Sequence, residues 1–182
     1  MDFELDYLKD EKNGDWEIST VEISENFAKL RNLFENNPDM LIVPGKYKRL
    51  TYKKDVIMSN TQMERRTHYT AIKKAKGNVL VAGLGLGMFI YNIMNKPEVK
   101  SITVIENSKE VIEMVGKYFK DCEKIKIINE DIFNYKSNIK FDFAFFDIWK
   151  DISFDNIKDF EILDEKFKKI PVKFFWSKSF LV

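Results

Sequence analysis

The stretch "NVLVAGLGLGMFIYNIM", Asn78 to Met94, constrains this chain more than any other. Its apolar run ends in glycine, as a buried parallel strand should. The residues that follow are apolar on every side, which suits a helix packed on a sheet and stopped before Pro97. Between the two, Gly83, Gly85 and Gly87 alternate. The chain has only 7 glycines in 182 residues, so three within five positions call for a reason. A phosphate, a nucleoside or a tight turn are the readings that the spacing leaves open.

The pattern repeats downstream. "SITVIEN" (101–107) is a second β-branched run, "KIKIINED" (124–131) a third and "FDFAFFDIW" (141–149) a fourth. Asn107 and Glu110 suggest a cap and capping box for a helix with Val111, Ile112, Val115 and Phe119 on one face. Residues 155–170 predict a helix with Ile157, Phe160, Leu163 and Phe167 inward, ended by Pro171, and 172–182 a fifth strand. Strand and helix alternating at these lengths mean a parallel sheet with right-handed crossovers.

The first part of the chain reads differently. Residues 16–24 look like a strand and 24–37 like a helix capped by Ser24. Residues 39–60 suggest two strands around a Lys-Lys-Asp turn. Residues 61–77 predict a helix that opens on a Thr-x-x-Glu capping box and closes on Gly77. The expected organisation is a β-rich appendage over 1–60 and an α/β, Rossmann-like core over 61–182.

Composition narrows the function classes. Lys+Arg (30) and Asp+Glu (29) nearly cancel, which argues against a nucleic-acid binder relying on a broad basic field. No apolar run approaches the ~20 residues a membrane span needs, and the acidic start is unlike a signal peptide, so a cytoplasmic protein is expected. The single cysteine, Cys122, excludes an internal disulfide or a multi-cysteine zinc site, and no metal is expected.

A glycine-rich turn after the first strand of such a sheet sits at the natural ligand crevice. A dinucleotide fingerprint would put a third glycine where this chain has Met88, and the Lys-Ser/Thr of a P-loop is missing. Alternating glycines let backbone pass close beneath a ligand, which favours a nucleoside without a pyrophosphate. Glu106 ends the second strand, where a carboxylate can accept both ribose hydroxyls. Glu130-Asp131 end the third strand, within reach of an adenine edge, and Asp147 ends the fourth.

Taken together, "VLVAGLGLG", "VIEN", "NEDIF" and "FDFAFFDIW" resemble the ordered motifs of class I S-adenosylmethionine-dependent methyltransferases. The segment "SNTQMERRTHYTAI" (59–72) further resembles what precedes this core in spermidine-synthase-like proteins. The resemblance implies S-adenosyl-L-methionine as cofactor, with Gly83, Gly85 and Gly87 along its methionine and ribose part. It implies ribose at Glu106, adenine flanked by Asp131 and Ile132, and Asp147 facing the methionine amino group or the acceptor. Trp149 and Tyr69 are the candidate substrate-binding residues, and Asp147 the candidate catalytic one.

Two departures qualify the resemblance. Spermidine synthases carry a second aspartate three positions after the first in the fourth motif, where this chain has Lys150. Methyltransferase sheets ordinarily have seven strands, and this one is expected to stop at about five. The function implied is methyl transfer to an unidentified acceptor. The alternatives are aminopropyl transfer and a non-catalytic binding or scaffold role. His68 reads as a surface or packing residue, and the charges over 64–66 and 72–76 as solvated helix faces. The apolar fifth strand suggests self-association as a homodimer or higher oligomer.

Overall fold

The computed structural model describes residues 3–181. The expected alternation is realised as five parallel strands, β5 (Gly77–Ala82), β6 (Val99–Glu106), β7 (Ile125–Asn129), β8 (Phe143–Phe146) and β9 (Val172–Phe175), in the order β7-β6-β5-β8-β9. The order reverses between β6 and β8 around β5, which makes a topological switch point at the carboxyl ends of these strands. Three helices join them: α3 (Met88–Ile93), α4 (Lys109–Val115) and α5 (Ile157–Lys166). The fold class is therefore α/β with a Rossmann-like parallel sheet.

Register brings the site together. Ala82 pairs with Ile105 on one side and with Phe146 on the other. The next residue of each strand, Gly83, Glu106 and Asp147, therefore emerges along a single edge. Backbone bonds hold them there: Gly83 N–H donates to Ile105 O (2.9 Å) and Asp147 N–H to Ala82 O (2.8 Å).

The N-terminal part is a second sheet, antiparallel, in the order β1 (Glu11–Asn13), β2 (Trp16–Ile23), β3 (Gly45–Tyr52), β4 (Asp55–Ser59). Lys53 and Lys54 take positive φ values, 48° and 76°, as the two-residue turn of a twisted hairpin requires. Between β2 and β3 lies α1 (Glu25–Asn32), capped as expected by the Ser24 hydroxyl, which accepts from Phe27 N–H. The lead-in helix α2 (Gln62–Lys74) connects the two sheets. One hydrophobic cluster runs unbroken from Leu5, Ile18, Leu50 and Met58 into the parallel sheet. No helix among the described residues is long and apolar enough to cross a membrane.

Several local expectations are corrected. The fifth strand stops at Phe175: Trp176 turns its indole inward to Glu64, Ser177 adopts a left-handed φ of 63°, and a single 3₁₀ turn follows. Val182 lies outside the described residues. The cap of α4 is Ser108, not Asn107; its hydroxyl accepts from Val111 N–H and donates to Glu110 (2.8 Å). The Thr61-x-x-Glu64 box does not form, because the core draws Glu64 in and Thr61 makes no capping bond. The helix expected to close on Gly77 ends at Lys74, and Gly77 opens β5 instead. The helix expected over 24–37 stops at Asn32, whose amide ties off the chain by bonding both N–H and C=O of Ile42.

Candidate functional site

A crevice of about 300 Å³ opens at the switch point. Gly83, Gly85, Glu106, Asp131, Ile132, Asp147 and Trp149 all line it, so seven of the nine residues singled out in the sequence meet at one place. Glu106 is 8% exposed, and each of its oxygens already accepts one backbone N–H: Oε2 from Leu84 and Oε1 from Ser108, both at 2.8 Å. The carboxylate is thus clamped across the glycine turn. Burial pushes its pKa up, and the amide bonds oppose that rise without cancelling it.

The glycines have reasons inside the protein. Gly83 has φ 95°, and a Cβ there would be driven into the backbone carbonyl of Asp147. Gly85 has φ 51°, and a Cβ would collide with the Sδ of Met58, which also accepts from Leu86 N–H (3.3 Å). Gly87 does not line the crevice; it faces Phe119, whose ring would stand 2.6 Å from an added Cβ.

On the third strand's side, Asp131 is exposed, and its Oδ1 accepts from Phe133 N–H (2.9 Å), while Ile132 is buried beside it. Trp149 is buried edge-on against Phe160 and donates its indole N–H to Asp159 (3.0 Å). Tyr69 stands apart. It is 45% exposed on the outer face of α2 with Lys73 over its ring, and it does not reach the crevice.

Two contributions were not legible as site features. Trp16, Leu50, Ile57 and Met58, from the N-terminal sheet, also line the crevice and form an apolar part of its wall. Beneath Asp147 lies His68, fully buried, with Nε2 3.1 Å from Asp147 Oδ2 and Nδ1 2.8 Å from the Glu64 carbonyl. Glu64 is buried too, and burial pushes its pKa up to about 7 against the pull of His68. A signal was present. Glu64 and His68 fall on the same helical stripe as Ala71, Ile72 and Ala75, and polar residues in an apolar stripe ask for partners.

Among the described residues no cluster of His, Cys, Asp and Glu could hold a metal ion. Five carboxylates border the crevice (Glu106, Glu130, Asp131, Asp147 and Asp159), and no Lys, Arg or His is among its described lining residues.

No protein-family model matches the chain, and no curated protein does either. It is similar to a solved 23S rRNA methyltransferase, ErmE, at 15% identity and a TM-score of 0.45, over 58% of this chain and 41% of that one. A dimethyladenosine transferase from Plasmodium falciparum matches at 18% identity and a TM-score of 0.46, over 64% and 42% of the two chains. The N-methyltransferase NodS from Bradyrhizobium japonicum WM9 matches at 23% and 0.40, over 45% and 48%. The chain spans less than half the length of each of these structures.

Proposed function

We propose that the crevice binds S-adenosylmethionine and that the chain is a methyltransferase. The observation that carries this reading is the clamped Glu106 carboxylate beside the Gly83–Gly85 turn, with Asp147 at the far side of the same crevice. Each Glu106 oxygen spends one lone pair on a backbone amide and keeps capacity for a ribose hydroxyl. A diol donating there offsets the desolvation of the buried carboxylate. In this reading Asp131 and Ile132 border the adenine, and Gly83 and Gly85 pass beneath the sugar. Bound, the cofactor supplies an electrophilic methyl carbon; the protein's part is positioning, plus a base if the acceptor must lose a proton.

That Trp16, Leu50, Ile57 and Met58 of the N-terminal sheet share the lining of the crevice with Asp147 and Trp149 supports a built binding site over a bare scaffold. The acidic border of the crevice suits the cationic sulfonium of the cofactor. Calorimetric titration with S-adenosylhomocysteine should give micromolar-range heat that Glu106→Ala abolishes. A folded sample that gives no heat overturns the reading.

Aminopropyl transfer is the second reading. It is favoured by the absence of Lys, Arg and His among the described lining residues, which leaves the cofactor's carboxylate no side-chain cation; the decarboxylated cofactor has no such need. Against it, Lys150 stands where the second aspartate would be. Incubation with decarboxylated S-adenosylmethionine and putrescine decides: this reading requires methylthioadenosine as product.

A further inference from the structure

His68 is the only histidine of the chain, and its surroundings dictate where its protons sit. Nδ1 faces the Glu64 carbonyl at 2.8 Å, which can only accept. Its other neighbour is the Thr67 hydroxyl at 3.3 Å, which gives its own proton to that same carbonyl (2.8 Å). Nδ1 therefore carries a hydrogen. With that nitrogen committed, Nε2 and Asp147 Oδ2 need a proton between them at 3.1 Å. A neutral ring would set its lone pair against an ionised carboxylate.

We propose that His68 is a positioning residue: as a buried imidazolium it donates Nε2–H to Asp147 and fixes that carboxylate in the crevice wall. Oδ2 is bonded in this way, while Oδ1 has no hydrogen-bond partner among the described residues and Asp147 lines the crevice. Resting on the proposed nucleoside reading, Oδ1 then serves as fixed counter-ion for the ammonium group of the ligand's amino-acid part. Fixing one oxygen lowers the ordering cost of that contact.

The groups around the ring fit this role. On its own helix lie Glu64 and Thr67; just past β8 comes Asp147, from β8 itself Phe145 edge-on at 5.1 Å, and from α3 Phe89 at 6.4 Å. Trp176 N–H donates to both Glu64 and Thr67 at 3.2 Å, closing the far side. Burial alone would push His68 down; the bond to Asp147 and the charges of Asp147 and Glu64 outweigh it and raise its pKa.

Two measurements on the full chain test the proposal. With ¹⁵N-labelled histidine the single ring reports directly. At pH 7 both nitrogens should be protonated and stay so beyond the ordinary histidine range, and Asp147→Asn should return a neutral ring protonated at Nδ1. A neutral ring in the unaltered protein at pH 7 overturns the proposal. The second measurement compares S-adenosylhomocysteine with methylthioadenosine, which lacks the amino acid. His68→Leu should weaken the first about tenfold and the second less than about twofold. His68→Gln, which keeps a donor toward Asp147, should restore most of the loss and also guards against misfolding of the leucine variant. Equal losses on both ligands mean a structural role only and overturn the counter-ion assignment. If the unaltered protein binds neither adenosyl compound, the nucleoside reading has failed, and the ring spectra alone decide the state of His68.

Discussion

The two sheets of this protein bury their strands differently. β5 is buried residue after residue from Val79 to Ala82, and β8 from Phe143 to Phe146, because helices or loops cover both faces. In the antiparallel sheet, Ile18 and Leu50 point inward while Glu17, Thr20 and Glu22 stay exposed. One sheet is the frame that sets the crevice floor. The other lends it a single apolar wall. Stability should therefore be concentrated in the first, and much of the crevice's shape in the second.

The largest expected effect tests the frame. Phe143 is fully buried and stacked between Phe89 and Phe174. Phe143→Ala should cost about 3–5 kcal/mol, whereas Val56→Ala, at a 52% exposed position of β4, should stay within about 0.5 kcal/mol. Urea midpoints of the two variants measure the contrast, and similar shifts would break it.

Next come the glycines, where the sheets meet. Gly83→Ala drives Cβ into the carbonyl of Asp147, a part of the frame that cannot yield, and should cost roughly 3 kcal/mol. Gly85→Ala meets only the end of the Met58 side chain, from the wall, so about 1–2 kcal/mol is expected. Equal costs would show that Met58 is held as rigidly as the sheet.

A smaller effect comes from pH. Glu64 and His68 both have folded pKa values above their ordinary ones, so the stability they contribute is full at low pH and is lost as pH rises through the folded values. For Glu64 that loss spans the interval from 4.5 to about 7. The melting temperature should fall between pH 5 and pH 9, by the equivalent of roughly 2 kcal/mol. Glu64→Gln should flatten the slope, and an unchanged slope would place its origin elsewhere.

The smallest effect lies on the antiparallel sheet's surface. Asp10 receives Lys48 Nζ at 2.7 Å and the N–H and hydroxyl of Thr20, and these bonds hold its pKa down to about 2. Asp10 is exposed, so Asp10→Asn should cost no more than about 1 kcal/mol, diminishing in high salt. A larger loss would mean that this sheet is more than a wall.

Most of the frame was readable in the residues themselves. Short apolar runs ending in Gly83, Glu106 and Asp147 announce parallel strands and their ligand ends, because strand period and carboxyl-end chemistry are local properties. Misreadings cluster where a distant partner overrules a local signal. Glu64 has the spacing of a capping residue, yet Trp176, 112 positions away, takes its carboxylate into the core. Tyr69 shares α2 with His68, but the helix's rotation sends one to solvent and the other to Asp147. Gly87 keeps the alternation of the turn and still packs on Phe119.

Taken alone, the sequence determined the α/β alternation, the glycine turn and the row of acidic strand ends, since each follows from backbone conformation and short-range pattern. Only the tertiary structure decided what surrounds them. Met58 of β4 reaches Gly85, and His68 meets Asp147 across 79 residues. Such contacts depend on how two sheets and a helix pack in space, and long-range packing leaves no periodic trace along the chain.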